Sequence, residues 1–259
     1  MTGGFAGAAG PGLPDLLDVR ADLDMFSGRG EEAVRGYEAV ARLRQERGDV
    51  VHALSAEIAA GQARSYGSNR SQVLAALPGL LSRAERFGNP TVLCFAYFLA
   101  GDLWRDDDLQ RSLDAFATSS AHGRRADSQL FLMMAETARL ALLAARGPTD
   151  DALRACDDVL ERWEDLGNRA AQWWSLLQVV VLLHRVGNGH DAALLAGAER
   201  SARERMETFP ALDGQFDAHL REVVDGLARQ HPAALDSGAQ LRLADALSLA
   251  RESIRSPHP

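Results

Sequence analysis

The chain has 259 residues, a formal net charge of −8 and a pI near 5.4, with an ordinary apolar content of 46%. An acidic chain is a poor stand-alone nucleic-acid binder, because that affinity comes largely from cationic contacts to phosphate. All 28 basic residues are arginine, which excludes Schiff-base catalysis and a Walker A phosphate loop, since both need a Lys ammonium.

Abundant Ala, Gly and Arg without Lys also points to a high-GC genome. The length suits one elongated domain or two small ones, and either can bury a core. No apolar run approaches the ~18 residues of a membrane span, and the most apolar segment, Val179 to Leu183, is far shorter.

Residues 1–12 read Met-Thr-Gly-Gly-Phe-Ala-Gly-Ala-Ala-Gly-Pro-Gly, with no basic n-region and no hydrophobic h-region. They are expected to be a disordered leader rather than a secretory signal, which places the protein in the cytoplasm. Apolar-periodic segments of about 15–19 residues then alternate with short turns, and no alternating strand pattern intervenes. One set of turns is Ser27-Gly28-Arg29-Gly30, Tyr66-Gly67-Ser68-Asn69, Asp106-Asp107-Asp108, Gly147-Pro148-Thr149-Asp150 and Gly187-Asn188-Gly189. A second set, around Gly48, Gly88, Gly123 and Gly167, lies between them. Gly past a helix end followed by Asn or Asp at the next start is stop-start chemistry.

Aligning the second helix of each hairpin puts Ala33, Val73, Ser112, Ala152 and Ala192 in register, at separations of 40, 39, 40 and 40. Four residues on come Tyr37, Leu77, Phe116, Cys156 and Ala196. Twelve before come Ala21, Gly61, Ala100, Leu140 and Val180. A small residue at a helix crossing with a larger one a turn later is tetratricopeptide logic stretched beyond its usual period of about 34. The expected architecture is therefore all-α: a right-handed solenoid of five antiparallel helix hairpins over residues 13–206, with repeats of about 40 residues. In that register Cys156 fills a core slot. Cys94 and Cys156 lie far apart, without the nearby second Cys of a chelating pair, and are expected to be buried thiols.

The fifth hairpin is the most apolar. Its first helix, from Arg169, has only Gln172, Ser175 and Gln178 as a thin polar stripe, so it is expected to pack on most sides. Ala192, Ala193, Ala196 and Gly197 then give its second helix a small face for close approach to the first. After Met206 the rhythm breaks. Helices from about Leu212 to Arg229 and Leu241 to Ile254 are expected to form a C-terminal helical cap over 207–254, with His231-Pro232 as a break and 255–259 as a fraying tail.

Ala171-Gln172-Trp173-Trp174, Leu-Leu-His-Arg-Val-Gly at 182–187, Asp191 to Glu199 and the closing Gly238 to Leu247 resemble one group of proteins. These are the tetratricopeptide-like C-terminal repeat regions of bacterial STAND and LuxR-type signalling regulators, and the match covers about the last 90 residues. In that group a nucleotide-binding core precedes the repeats, and a DNA-binding domain or cyclase is often attached. Neither the core nor a helix-turn-helix is encoded here, so the resemblance implies the sensory, protein-contacting part only. It implies a partner groove on the first helix of each hairpin. Carried over by register, that groove holds Cys94, Tyr97 and Trp104, then Met134, then Trp174, Leu177 and His184. Such aromatic and Met groups could receive a protein or peptide partner or a small effector, whereas Trp173 reads as packing.

No catalytic residues, cofactors or metal ligands emerge. Asp106-Asp107-Asp108 lacks a DDxxD pattern, and Asp150-Asp151 and Asp157-Asp158 read like it as acids serving helix starts. His184 and His190 lack the i, i+4 spacing of a helical metal pair. Arg124-Arg125 and Arg200, Arg203 and Arg205 read as solvated faces rather than a nucleic-acid patch. The expected function is a non-enzymatic helical-repeat module in signalling or transcription regulation, without direct nucleic-acid or membrane binding. The alternative is an α-helical enzyme whose acids and histidines converge in a central cavity, which an open row of repeats would not provide.

Overall fold

A computed structural model describes residues 12–67, 69–207 and 218–256, and among these residues the protein is all-α, with thirteen helices and no strand. Ten helices follow one another in consecutive pairs. These are α1 (Leu13–Phe26) and α2 (Gly30–Glu46), α3 (Val50–Ser65) and α4 (Arg70–Phe87), α5 (Pro90–Trp104) and α6 (Leu109–Arg125), α7 (Gln129–Arg146) and α8 (Thr149–Asp165), and α9 (Arg169–Arg185) and α10 (Gly189–Glu204). Then come α11 (Ala218–Gln230), α12 (Pro232–Gly238) and α13 (Leu243–Arg255). Of the expected leader, residues 1–11 lie outside the described residues, as do 208–217 of the cap and 257–259 of the tail.

The turns use the expected chemistry. Gly48, Gly88, Gly167 and Gly187 take φ of 76°, 64°, 65° and 87°, a left-handed geometry that ends a helix without a Cβ penalty. The next residue starts the following helix by accepting backbone N–H bonds. Asp49 accepts from His52, Asn89 from Thr91 at 2.9 Å, Asn168 from Ala171 at 3.1 Å and Asn188 from Asp191 at 3.3 Å. Gly123 breaks the pattern. The expected turn there is helix, because α6 runs on to Arg125 and Asp127 takes the left-handed position with φ 50°. A Cβ at Gly123 would sit 2.9 Å from the Leu132 backbone, so this glycine serves the close crossing of α6 and α7.

The chain divides into two compact units, Met1–Leu99 and Ala100–Pro259, with the division falling inside α5. In the first unit α2 packs between α1 and α3, and α3 packs on α4. Its core gathers Ala21 from α1, Ala33 and Tyr37 from α2, and Ala60 and Ala63 from α3. A smaller cluster joins Val40 and Ala41 to Ala56, with Leu17 against it. Arg83 grips Glu57 with two bonds of 2.6 and 2.9 Å, tying α4 to α3, and Arg64 pairs with Glu38 across α2 and α3.

In the second unit one continuous core runs from Met133 to Ile254. Helix α9 packs against α7, α8, α10, α11 and α13. Twelve of its seventeen residues are buried, including the polar stripe Gln172, Ser175 and Gln178. The Gln172 amide is satisfied by donating to the Trp163 carbonyl at 3.0 Å.

The cap differs from expectation in two respects. His231-Pro232 does not merely interrupt, because Pro232 opens α12 at a position where its missing N–H costs nothing. Gly197 serves that helix rather than the hairpin with α9. A Cβ there would overlap the Leu235 carbonyl, and one at Gly238 would overlap that of Leu194, so α10 and α12 cross backbone to backbone. Helix α13 packs on α8, α9 and α10. It is tied to α8 by Arg251–Glu164 at 2.6 Å and Arg255–Asp157 at 2.9 Å, so Arg255, expected in the fraying tail, is helical and paired.

Candidate functional site

The seven groove residues expected from register fall on three positions of the first helices. The position shared by Cys94, Met134 and Trp174 is half-buried in α7 and α9, which pack against one another, and buried in α5. The position of Tyr97 and Leu177 behaves differently. Tyr97 is half-buried, donates to Glu85 at 2.8 Å and has its phenol pushed up by burial first and by that carboxylate second. Leu177 is buried at 4% exposure, so a ligand would reach it only by parting helices. Thr137, in the same register on α7, turns fully inward, and its hydroxyl accepts the Trp163 indole N–H at 2.9 Å. The third position holds Trp104 and His184, both half-buried.

Trp104 already has a neighbour. The Arg111 guanidinium lies 3.7 Å from its ring centroid, so one indole face is taken by a cation–π contact from α6. Just beyond, Asp102 is buried and holds Arg105 at 3.1 Å. Within the second unit, Met134 on α7 and Trp174 and His184 on α9 therefore remain the expected groove residues that are partly open on packed neighbouring helices. Trp173, one residue away, is fully buried, as expected for packing.

Two arginines escape sequence reasoning. Arg146, ending α7, donates to the Arg105 carbonyl, and Arg185, ending α9, donates to the Leu143 carbonyl at 3.0 Å and to the Thr149 hydroxyl at 3.4 Å. Each helix end thus receives a cation from the next hairpin that complements the negative end of the helix dipole, and the Leu143 carbonyl also accepts the Gly147 N–H at 3.0 Å. Arginines 105, 146 and 185 recur at 41 and 39 residues. That spacing, within a residue of the hairpin period, was the available signal.

Several titratable groups are occupied in structure. Asp108 caps α6 by accepting from Arg111 N at 3.0 Å, and Asp150 and Asp151 lie in the first turn of α8. Asp157 lies inside α8 and binds Arg255, so the helix-start reading fails there. Cys156 is fully buried and its thiol is pushed up by that burial, consistent with an inert core residue. Glu199 is buried and pushed up by burial, against the pull of Arg203 at 2.7 Å. Arg124 pairs with Glu136, Arg200 with Asp236 and Arg205 with Glu207, so those arginines face carboxylates of their own chain.

Among the described residues no group of three His, Cys, Asp or Glu side chains is placed to hold a metal, and no helix is long and apolar enough to cross a membrane. A depression of about 560 Å³ at the end of α13 is lined by Ser248, Arg251, Glu252, Arg255 and Ser256, and both of its arginines are committed to Glu164 and Asp157. The sequence matches no protein-family model and no curated protein.

Proposed function

We propose that this chain is a non-enzymatic, tetratricopeptide-like module: a right-handed solenoid with repeats of about 40 residues that binds a protein, peptide or small effector. One observation carries the reading. The fifteen positions that the register equates across five hairpins are buried in every copy, from Ala21, Ala33 and Tyr37 to Val180, Ala192 and Ala196. The second helices of the pairs start at residues 30, 70, 109, 149 and 189, which supports the same period. Repetition, with no group of three His, Cys, Asp or Glu side chains gathered among the described residues, favours recognition over catalysis.

Within the second unit the recognition face is the side of α7 and α9 that carries Met134, Trp174 and His184, with Trp104 partly engaged by Arg111. Resemblance to the sensor regions of STAND-type regulators supports a role in signalling or transcription regulation in the cytoplasm. The test is affinity purification from native cells with tagged wild type and Trp174→Ala, both checked by circular dichroism. A protein or small molecule retained by the wild type and lost by a folded Trp174→Ala variant supports the face. Identical retained sets would sink it, as would a variant that no longer folds.

A further inference from the structure

Helix α1 carries an apolar stripe on its outer side. Leu16, Val19 and Leu23 are 71%, 58% and 60% exposed, while Ala21, Pro14 and Asp24 on the inner side are buried. The spacing i, i+3, i+7 is that of a helix–helix seam, not of scattered surface residues. Register with later hairpins gives the stripe a meaning. The corresponding residues are Ala56, Ala59 and Ala63 in α3, Phe95, Phe98 and Asp102 in α5, Ala135, Ala138 and Leu142 in α7, and Ser175, Gln178 and Leu182 in α9. All of these are buried except Ala59 and Phe95, which are half-buried. In α3 they face the preceding helix, because Ala56 clusters with Val40 and Ala41 of α2, and Ala63 with Ala33 and Tyr37 of α2. On α1 no described helix covers the same seam.

One rim of the stripe is acidic and the other carries the exposed Arg20. Asp15, Asp18 and Asp22 line one flank, with Asp15 also reaching Arg44 at 2.7 Å and Asp22 accepting from Tyr37 at 2.6 Å. On the other flank Arg20 faces Asp24 at 3.9 Å. A second copy docked face to face and antiparallel would set the Asp15–Asp18–Asp22 flank against itself, which like-charge repulsion opposes.

We propose that the Leu16–Val19–Leu23 stripe of α1 is a docking surface for one amphipathic α-helix whose apolar ridge carries basic residues on the flank that meets Asp15, Asp18 and Asp22, seated on α1 as α2 is seated on α3. The inference rests on the forty-residue register of the proposed function, but not on its effector face. Desolvating three leucine or valine side chains supplies the attraction, and arginine or lysine on the incoming helix neutralises the acidic rim.

The probe is a stapled 18-residue helix with Leu at i, i+3, i+7 and i+10 and Arg along one flank, followed by fluorescence anisotropy with the full chain. Its control carries Glu in place of Arg. The Arg-flanked helix is expected to bind saturably and the Glu-flanked one at least tenfold more weakly. Leu16→Gln/Leu23→Gln should reduce affinity at least tenfold, and Asp15→Asn/Asp18→Asn severalfold with loss of salt dependence. Equal binding of both peptides, or insensitivity to Leu16→Gln/Leu23→Gln, overturns the proposal. So does a wild-type dimer in sedimentation that those substitutions make monomeric. Ala56→Glu/Ala63→Glu separates the two failures. Tolerance of that pair would sink the register itself, whereas a destabilised pair beside a non-binding stripe sinks the docking alone and leaves the α7–α9 face untouched.

Discussion

Helices α1 and α9 hold the same place in the first and last of the five pairs, yet they are opposites in surface. Only three of the fourteen residues of α1 are buried, against twelve of seventeen in α9. At the positions where α1 shows Leu16, Val19 and Leu23 to solvent, α9 encloses Ser175, Gln178 and Leu182. Hydrophobicity thus fails to rank the two faces, since the more polar set is the buried one. What decides burial is the number of neighbours: α9 has five packed helices around it, which enclose Gln172 against the Trp163 carbonyl and the Ser175 hydroxyl without a hydrogen-bond partner.

The sharpest way to break the comparison is to place one substitution at both ends of the register. Leu182→Gln removes a fully buried leucine and leaves an amide in an apolar core. Lost burial and an unsatisfied polar group together cost on the order of 4 kcal/mol, enough to unfold a unit of marginal stability. Urea denaturation followed by tryptophan fluorescence reads this directly, because Trp163 and Trp173 share the core with Leu182. A loss below about 1 kcal/mol would show that α9 is less enclosed than its burial implies.

A smaller effect is expected where the cap meets the last pair. Gly197→Ala drives a methyl into the Leu235 carbonyl, so α12 must shift, at a cost of about 1–3 kcal/mol. Hydrogen exchange should locate the loss in α10 and α12 rather than in α7. If α7 loosens equally, the cap and the stack are one cooperative unit and the contrast between helix ends needs another cause.

Much of this was legible in the sequence because it is local. Gly48-Asp49, Gly88-Asn89, Gly167-Asn168 and Gly187-Asn188 each encode a stop and a start in two residues, and the structure uses all four. The enclosure of α9 was legible too, since an apolar wrap with a thin polar stripe has few alternatives. The errors were non-local. Gly123 and Gly197 look like a turn residue and a hairpin residue, but which backbone approaches them is set by helices nine or more residues away. Asp157 looks like its neighbour acids until α13 brings Arg255 to it, 98 residues later. For the groove, register could equate Met134 with Trp174, but could not foresee that Leu177 is sealed or that Arg111 lies on Trp104.

The arginine at the end of α9 gives a further step down in size. Arg185→Met keeps the apolar stem but removes the donors to the Leu143 carbonyl and Thr149. The expected loss is about 1 kcal/mol, the net worth of a typical hydrogen bond with some dipole interaction added. Added salt should shrink the dipole share in the wild type and leave the variant unaffected. The Leu143 carbonyl keeps the Gly147 N–H, so a loss above about 3 kcal/mol would instead mean that the arginine locks the two hairpins together.

The smallest effect is expected at the other end of the register. Leu23→Gln makes the same chemical change as Leu182→Gln, on a residue 60% exposed rather than fully buried. Little apolar area leaves contact with protein and the new amide can reach water, so stability should stay within about 0.5 kcal/mol of wild type. Thermal denaturation of the two variants side by side gives the comparison its number. If Leu23→Gln costs as much as Leu182→Gln, then something covers α1 in solution, and the stripe is already occupied by a second copy. If it is neutral while the basic helix no longer binds, the same leucine is dispensable for folding and required for docking, and the difference between α1 and α9 is one of occupancy rather than of design.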